Sequence, residues 1–144
     1  MTAPLSAQIY YPEDGKDCSY YYGCTDDLIN VPMDNEHNCI VDITYRNCDG
    51  SETSTKVRYY DGLGTLMEDV AVGASPTGGN LVVWHDSDGT GRPIKTWLPA
   101  VMAGSGKFFQ PRTSVCQMSV EANNMDTSPF EKMIYENNTQ NRLT

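Results

Sequence analysis

Five cysteines and two histidines are the side chains of this sequence best suited to ligating a metal or forming a covalent intermediate. Cys18, Cys24, His37, Cys39 and Cys48 fall in its first third. Zinc sites favour close ligand pairs with about two to four residues between them. Here five residues separate Cys18 from Cys24 and one separates His37 from Cys39. Buried or paired cysteines fit that spacing better, so no metal is expected. For nucleophilic catalysis, His37 or His85 needs a hydroxyl or thiol on one side and a carboxylate on the other. Asp86 follows His85 directly, but neighbours on a strand face opposite ways. No nucleophile elbow of the G-x-S-x-G type is present.

The other motifs fail on register. Gly104-Ser105-Gly106-Lys107 resembles the end of a phosphate loop, but Val101 stands where the first glycine belongs and Phe108 where Ser or Thr belongs. Asp86-Ser87-Asp88-Gly89 begins like a calcium loop, yet the later acidic positions do not follow, and it reads as a turn. Asn137-Asn138-Thr139 matches a glycosylation acceptor. Paired carboxylates are plentiful and support no particular hydrolytic pair. No catalytic residue, cofactor or metal site is assigned, and the chain is expected not to be an enzyme.

Charge narrows the partners. The 144 residues carry a formal net charge of −9, and the pI is near 4.4. Nucleic-acid binders need a basic stripe, and anionic membranes attract polybasic segments, so neither partner is expected. No apolar run approaches the roughly 20 residues of a membrane span. The first residues lack the basic region and apolar core of a signal peptide, so use without export is expected. Free thiols are then the default state of the odd cysteine count.

One stretch, Cys39 to Tyr60, must position everything else. It reads as a long β-hairpin. Asn47 to Ser51 suit a type I turn closed by a bulge, with Gly50 in the left-handed position. That turn sets Arg46 opposite Glu52, Asp42 opposite Lys56 and Thr44 opposite Ser54 on one face. Tyr45 with Thr53, Ile43 with Thr55, Val41 with Val57 and Cys39 with Tyr59 occupy the other. A two-residue turn would mix the faces, so the first register is preferred. Val41, Ile43, Tyr45 and Val57 are expected to be buried.

The rest divides into an N-terminal arm (1–17), a β domain (18–128) and a C-terminal stretch (129–144). Leu66 to Val72 fits a strand or a helical turn. Leu81 to His85, Ile94 to Trp97, Leu98 to Met102 and Thr113 to Val120 read as strands. Ser128-Pro129-Phe130-Glu131 carries a capping box with Pro at the first helical position, predicting a short helix over 129–137. No repeat is evident. The expected fold is mainly β, a small antiparallel sandwich or barrel-like domain with one short C-terminal helix. Two aromatic clusters, Ile9-Tyr10-Tyr11 and Tyr20-Tyr21-Tyr22, suit subunit contacts, since such side chains supply contact area at low entropic cost.

Asp42 to Val57, DITYRNCDGSETSTKV, resembles a pattern of small β modules in bacterial and phage proteins, a strand ending in Tyr-x-x-Cys-Asp-Gly with a Thr-rich return. Gly78 to Val101, GGNLVVWHDSDGTGRPIKTWLPAV, is similar to small phage virion proteins that decorate capsids or sit on tails. The resemblance implies a β fold and an assembly role. On it the chain is expected to be a virion component that oligomerises with itself and attaches to a larger shell or tail. The alternative is an extracellular or periplasmic β binding module for carbohydrate or protein, with Trp84, Trp97 and the tyrosines as stacking platforms.

Overall fold

A computed structural model describes residues 36–47, 52–103, 109–137 and 143. Seven strands and one helix lie among them. They are β1 (Asn38–Tyr45), β2 (Thr53–Tyr60), β3 (Leu66–Ala71), β4 (Asn80–Ser87), β5 (Pro93–Trp97), β6 (Ala100–Met102), α1 (Arg112–Ala122) and β7 (Phe130–Lys132). All pairings are antiparallel, in one open sheet of order β1-β2-β3-β4-β5-β7. β6 pairs with β4 as well, so β5 takes one half of a β4 edge and β6 the other. The described residues are mainly β, as expected, with one short helix, and their strands form one open sheet.

The β1–β2 register agrees with the sequence reading at every pair from Cys39↔Tyr59 to Tyr45↔Thr53. Arg46 N–H donates to the Glu52 carbonyl at 2.9 Å, one step beyond the Tyr45↔Thr53 pair, and the expected bulged turn at Asn47 to Ser51 falls largely outside the described residues. Asp42 and Lys56 stand opposite, but Asp42 takes its ion pair diagonally from Arg58 at 2.7 Å.

The turns repeat. Asp61, Ser75 and Asp88 each precede by three residues a glycine of positive φ: Gly64 (83°), Gly78 (81°) and Gly91 (83°). In each, the glycine N–H donates to the first residue's carbonyl, and that first residue's N–H donates to the residue after the glycine. The first side chain also accepts: Thr65 N–H on Asp61, Gly79 N–H on Ser75, Arg92 N–H on Asp88. Only glycine enters the left-handed position without a steric cost. Asn47 and Gly50 continue the same spacing in the sequence. Among the described residues one four-residue turn unit thus recurs three times, with Asp or Ser at its first position supplying the same side-chain acceptor.

One face of the sheet is the core. Cross-strand register lines up Val41, Val57, Val70, Val82 and Ala100 in a single row across five strands. Each is buried, three of them completely. Burial of each Val side chain contributes roughly 1.5–3 kcal/mol. Ile43 is buried beside the row, and Tyr45 packs half-buried at its margin. α1 crosses β6 and β4 on this side and adds Val115.

Two element assignments are corrected. Thr113 to Val120 belongs to α1, not to a strand. Its buried residues, Val115 and Ser119, lie four apart, a helical spacing that apolar alternation at Cys116, Met118 and Val120 masked. Ser119 Oγ donates to the Leu98 carbonyl at 2.8 Å, fixing the helix to the β5–β6 link. The expected helix over 129–137 is a strand, β7, so the sheet runs past residue 128 into the presumed tail. Phe130 pairs with Trp97 and Glu131 with Thr96, which takes Glu131 away from any capping role. Pairing to β5 and burial of Pro129 outweigh the local helix signal.

Candidate functional site

Two groupings of polar side chains stand out, one on each face. On the core face, β4 carries Trp84 and Asp86 inward. The Asp86 carboxylate accepts four hydrogen bonds. Trp84 Nε1 donates to Oδ1 at 3.1 Å and Trp97 Nε1 to Oδ2 at 2.9 Å. Arg112 completes the set as a fork, Nε to Oδ1 at 2.6 Å and Nη2 to Oδ2 at 2.8 Å. The guanidinium also lies over the Trp97 ring, 5.8 Å from its centroid. The Arg112 bond, followed by those of the indoles, holds the Asp86 carboxyl below the usual carboxylate range against the opposing effect of burial.

The next inward row is Cys39, Tyr59, Glu68 and Trp84. Glu68 has no solvent-exposed surface. The Gln110 N–H donates to its carboxyl, 3.2 Å from each oxygen. Burial pushes this carboxyl up to about 8, only partly offset by that hydrogen bond. Phe109 is stacked on His37 at 3.8 Å and lies edge-on to the two rings that flank Glu68, Tyr59 at 5.2 Å and Trp84 at 6.2 Å. Residues 109–112 are therefore held to the sheet at three successive points: Phe109 by rings, Gln110 by Glu68, Arg112 by Asp86.

On the outer face, Asp69, His85 and Thr96 come from three adjacent strands. His85 Nε2 lies 2.8 Å from Asp69 Oδ2, and Nδ1 lies 3.3 Å from Thr96 Oγ1. Carboxylate, imidazole and hydroxyl thus form a chain of the kind that activates nucleophiles. The cross-strand partner of Thr96 is Glu131. A carboxylate beside the hydroxyl would oppose the negative charge that an acyl-transfer intermediate develops there. The chain fits positioning across the strands better than attack on a carbonyl.

Beside it lies a groove of about 520 Å³ whose lining includes Lys56, Arg58, Asp69, Leu81, Val83 and Pro99. Ile40 (42% exposed) and Val101 (38%) end the two outward rows that cross this area. Apolar side chains here face solvent beside charges of both signs.

The expected contact residues Ile9, Tyr10, Tyr11, Tyr20, Tyr21 and Tyr22 lie outside the described residues, as do Cys18, Cys24 and Cys48. Cys39 and Cys116 carry thiols. Among the described residues no three His, Cys, Asp or Glu side chains group as metal ligands, and no helix is long and apolar enough to cross a membrane. Trp84 and Trp97 are only 8% and 9% exposed, with both indole N–H groups engaged by Asp86, so neither ring serves as a stacking platform. Sequence reasoning missed Glu68, Asp69, Asp86 and Arg112 as organising groups. For Glu68 a signal existed: it shares strand parity with Val70, an inward position.

Residues 36–144 match DUF6443, a domain of unknown function, and the chain belongs to that family. No curated protein and no solved structure matches it.

Proposed function

We propose that this DUF6443 domain is a structural assembly module whose outer sheet face binds a second copy of the chain. The observation that carries the reading is the outer groove. Its lining joins apolar Leu81, Val83 and Pro99 to the cations Lys56 and Arg58 and the carboxylates Asp42 and Asp69. A two-fold contact requires a patch that is its own complement, which a surface holding both signs beside apolar side chains supplies. A virion component attached to a larger shell or tail is the form of assembly that the sequence resemblance favours.

The test uses the intact chain. Ile40 and Val101 are exposed on the face opposite the core row, so I40E/V101E should leave circular dichroism and the unfolding midpoint unchanged. The wild type is expected to self-associate in sedimentation velocity, and the double variant to run as a monomer. With −9 per chain, copies repel at long range. Association should therefore strengthen as salt shortens the screening length to about 8 Å at physiological ionic strength. A wild type that stays monomeric at every salt concentration, or a folded double variant that still associates, contradicts the reading.

A further inference from the structure

We propose that Glu68 is a pH-sensitive latch: protonated, it holds Phe109–Arg112 and the start of α1 against the sheet, and ionisation releases them. The inference stands on the geometry of the row. Glu68 is fully enclosed on β3, flanked by Tyr59 of β2 and Trp84 of β4. Its cover is Phe109 and Gln110. The flanking strands are fastened by continuous ladders, whereas residues 109–111 belong to no strand or helix and take part in no such ladder. Hydrating a charged carboxylate here is cheapest by lifting that cover.

The groups facing Glu68 offer its charge little relief. Cys39 on β1 lies in the same row, with His37 ahead of it against Phe109. Tyr59 faces it from β2. Asp69, the next residue on β3, adds a like charge that raises its pKa further. On β4 Asp86 is a second carboxylate, and it engages Arg112, the cation that α1 brings to this strip.

The folded carboxyl sits near 8 against an ordinary 4.5, so the closed form holds one proton more than the open form between those values. Opening is then suppressed below that window, rises with pH across it, and levels off above about 8.

Amide hydrogen exchange by NMR tests this, corrected for intrinsic base catalysis. Protection of Gln110 and of the first α1 amides, relative to the β2 and β3 amides, should fall by up to about tenfold per pH unit between pH 5 and 8. E68Q matches the protonated form in shape, and its profile should be flat. H37F keeps the ring stack without the imidazole and should retain the wild-type slope. A flat wild-type profile, a slope that survives E68Q, or one lost in H37F overturns the proposal. Should E68Q fail to fold, the carbon-13 titration of the Glu68 carboxyl in the wild type decides. A midpoint well above 6 supports the latch, and one near the ordinary carboxylate value overturns it.

Discussion

Val82→Asp will unfold this domain under conditions where the wild type is native. Val82 is completely buried at the crossing of the β3–β4 and β4–β6 ladders, between Val70 and Ala100. An ionised Asp there meets only apolar side chains along its row, and an unpaired buried charge costs several kcal/mol even after it shifts its pKa to neutralise. The native margin of such domains is about 5–15 kcal/mol in total. The fraction folded, read by circular dichroism in a urea titration, should fall to the unfolded baseline at or near zero denaturant. The exposed neighbour substitution Val101→Asp should shift the midpoint little. A folded Val82→Asp variant with a wild-type midpoint would mean that the sheet buries its other face.

The second large effect concerns Asp86. Asp86→Ala leaves two indole N–H groups without their acceptor and strips Arg112 of its fork. Both tryptophans are buried, so their donors cannot turn to bulk water, whereas the half-exposed Arg112 can. A loss of about 3–5 kcal/mol is expected, most of it from uncompensated burial. Asp86→Asn should fall between, since its amide retains one acceptor oxygen but turns N–H donors toward a donor. The pH dependence follows in sign. The folded Asp86 carboxyl is held below its unfolded value by Arg112, so its contribution is fully present above about pH 4 and is lost as pH falls through the lower folded value. Acid unfolding of Asp86→Ala should therefore lack part of the steepness of the wild type below pH 4. An unchanged acid limb would remove Asp86 from the account of stability.

The two variants mark what was legible in the sequence. The Val41 and Val57 positions were readable because a two-residue period admits one register that keeps both faces consistent, and the observed pairing agrees residue by residue. Trp84, Asp86 and Arg112 were not, because their meeting depends on where α1 lands. α1 was itself misread as a strand: eleven residues with two buried positions leave a weak apolar stripe. Phe130 failed in the opposite direction. A local capping pattern pointed to a helix, and pairing with Trp97, remote in sequence, overrode it. His85 was placed correctly as facing away from Asp86, but its partners Asp69 and Thr96 come from neighbouring strands whose register the sequence left open. The outer groove was illegible for the same reason, since Lys56, Asp69, Val83 and Pro99 become neighbours only once four segments align.

Self-association through the outer face is the central functional claim, and zero-length cross-linking of amines to carboxylates tests it most directly. Equal amounts of nitrogen-14 and nitrogen-15 protein are mixed, activated with a carbodiimide and digested. The account predicts mixed-isotope peptides joining Lys56 of one copy to Asp69 or Asp42 of the other, at a yield that I40E/V101E abolishes. Cross-links confined to single-isotope peptides, or mixed peptides that bypass the groove and persist in I40E/V101E, would contradict it.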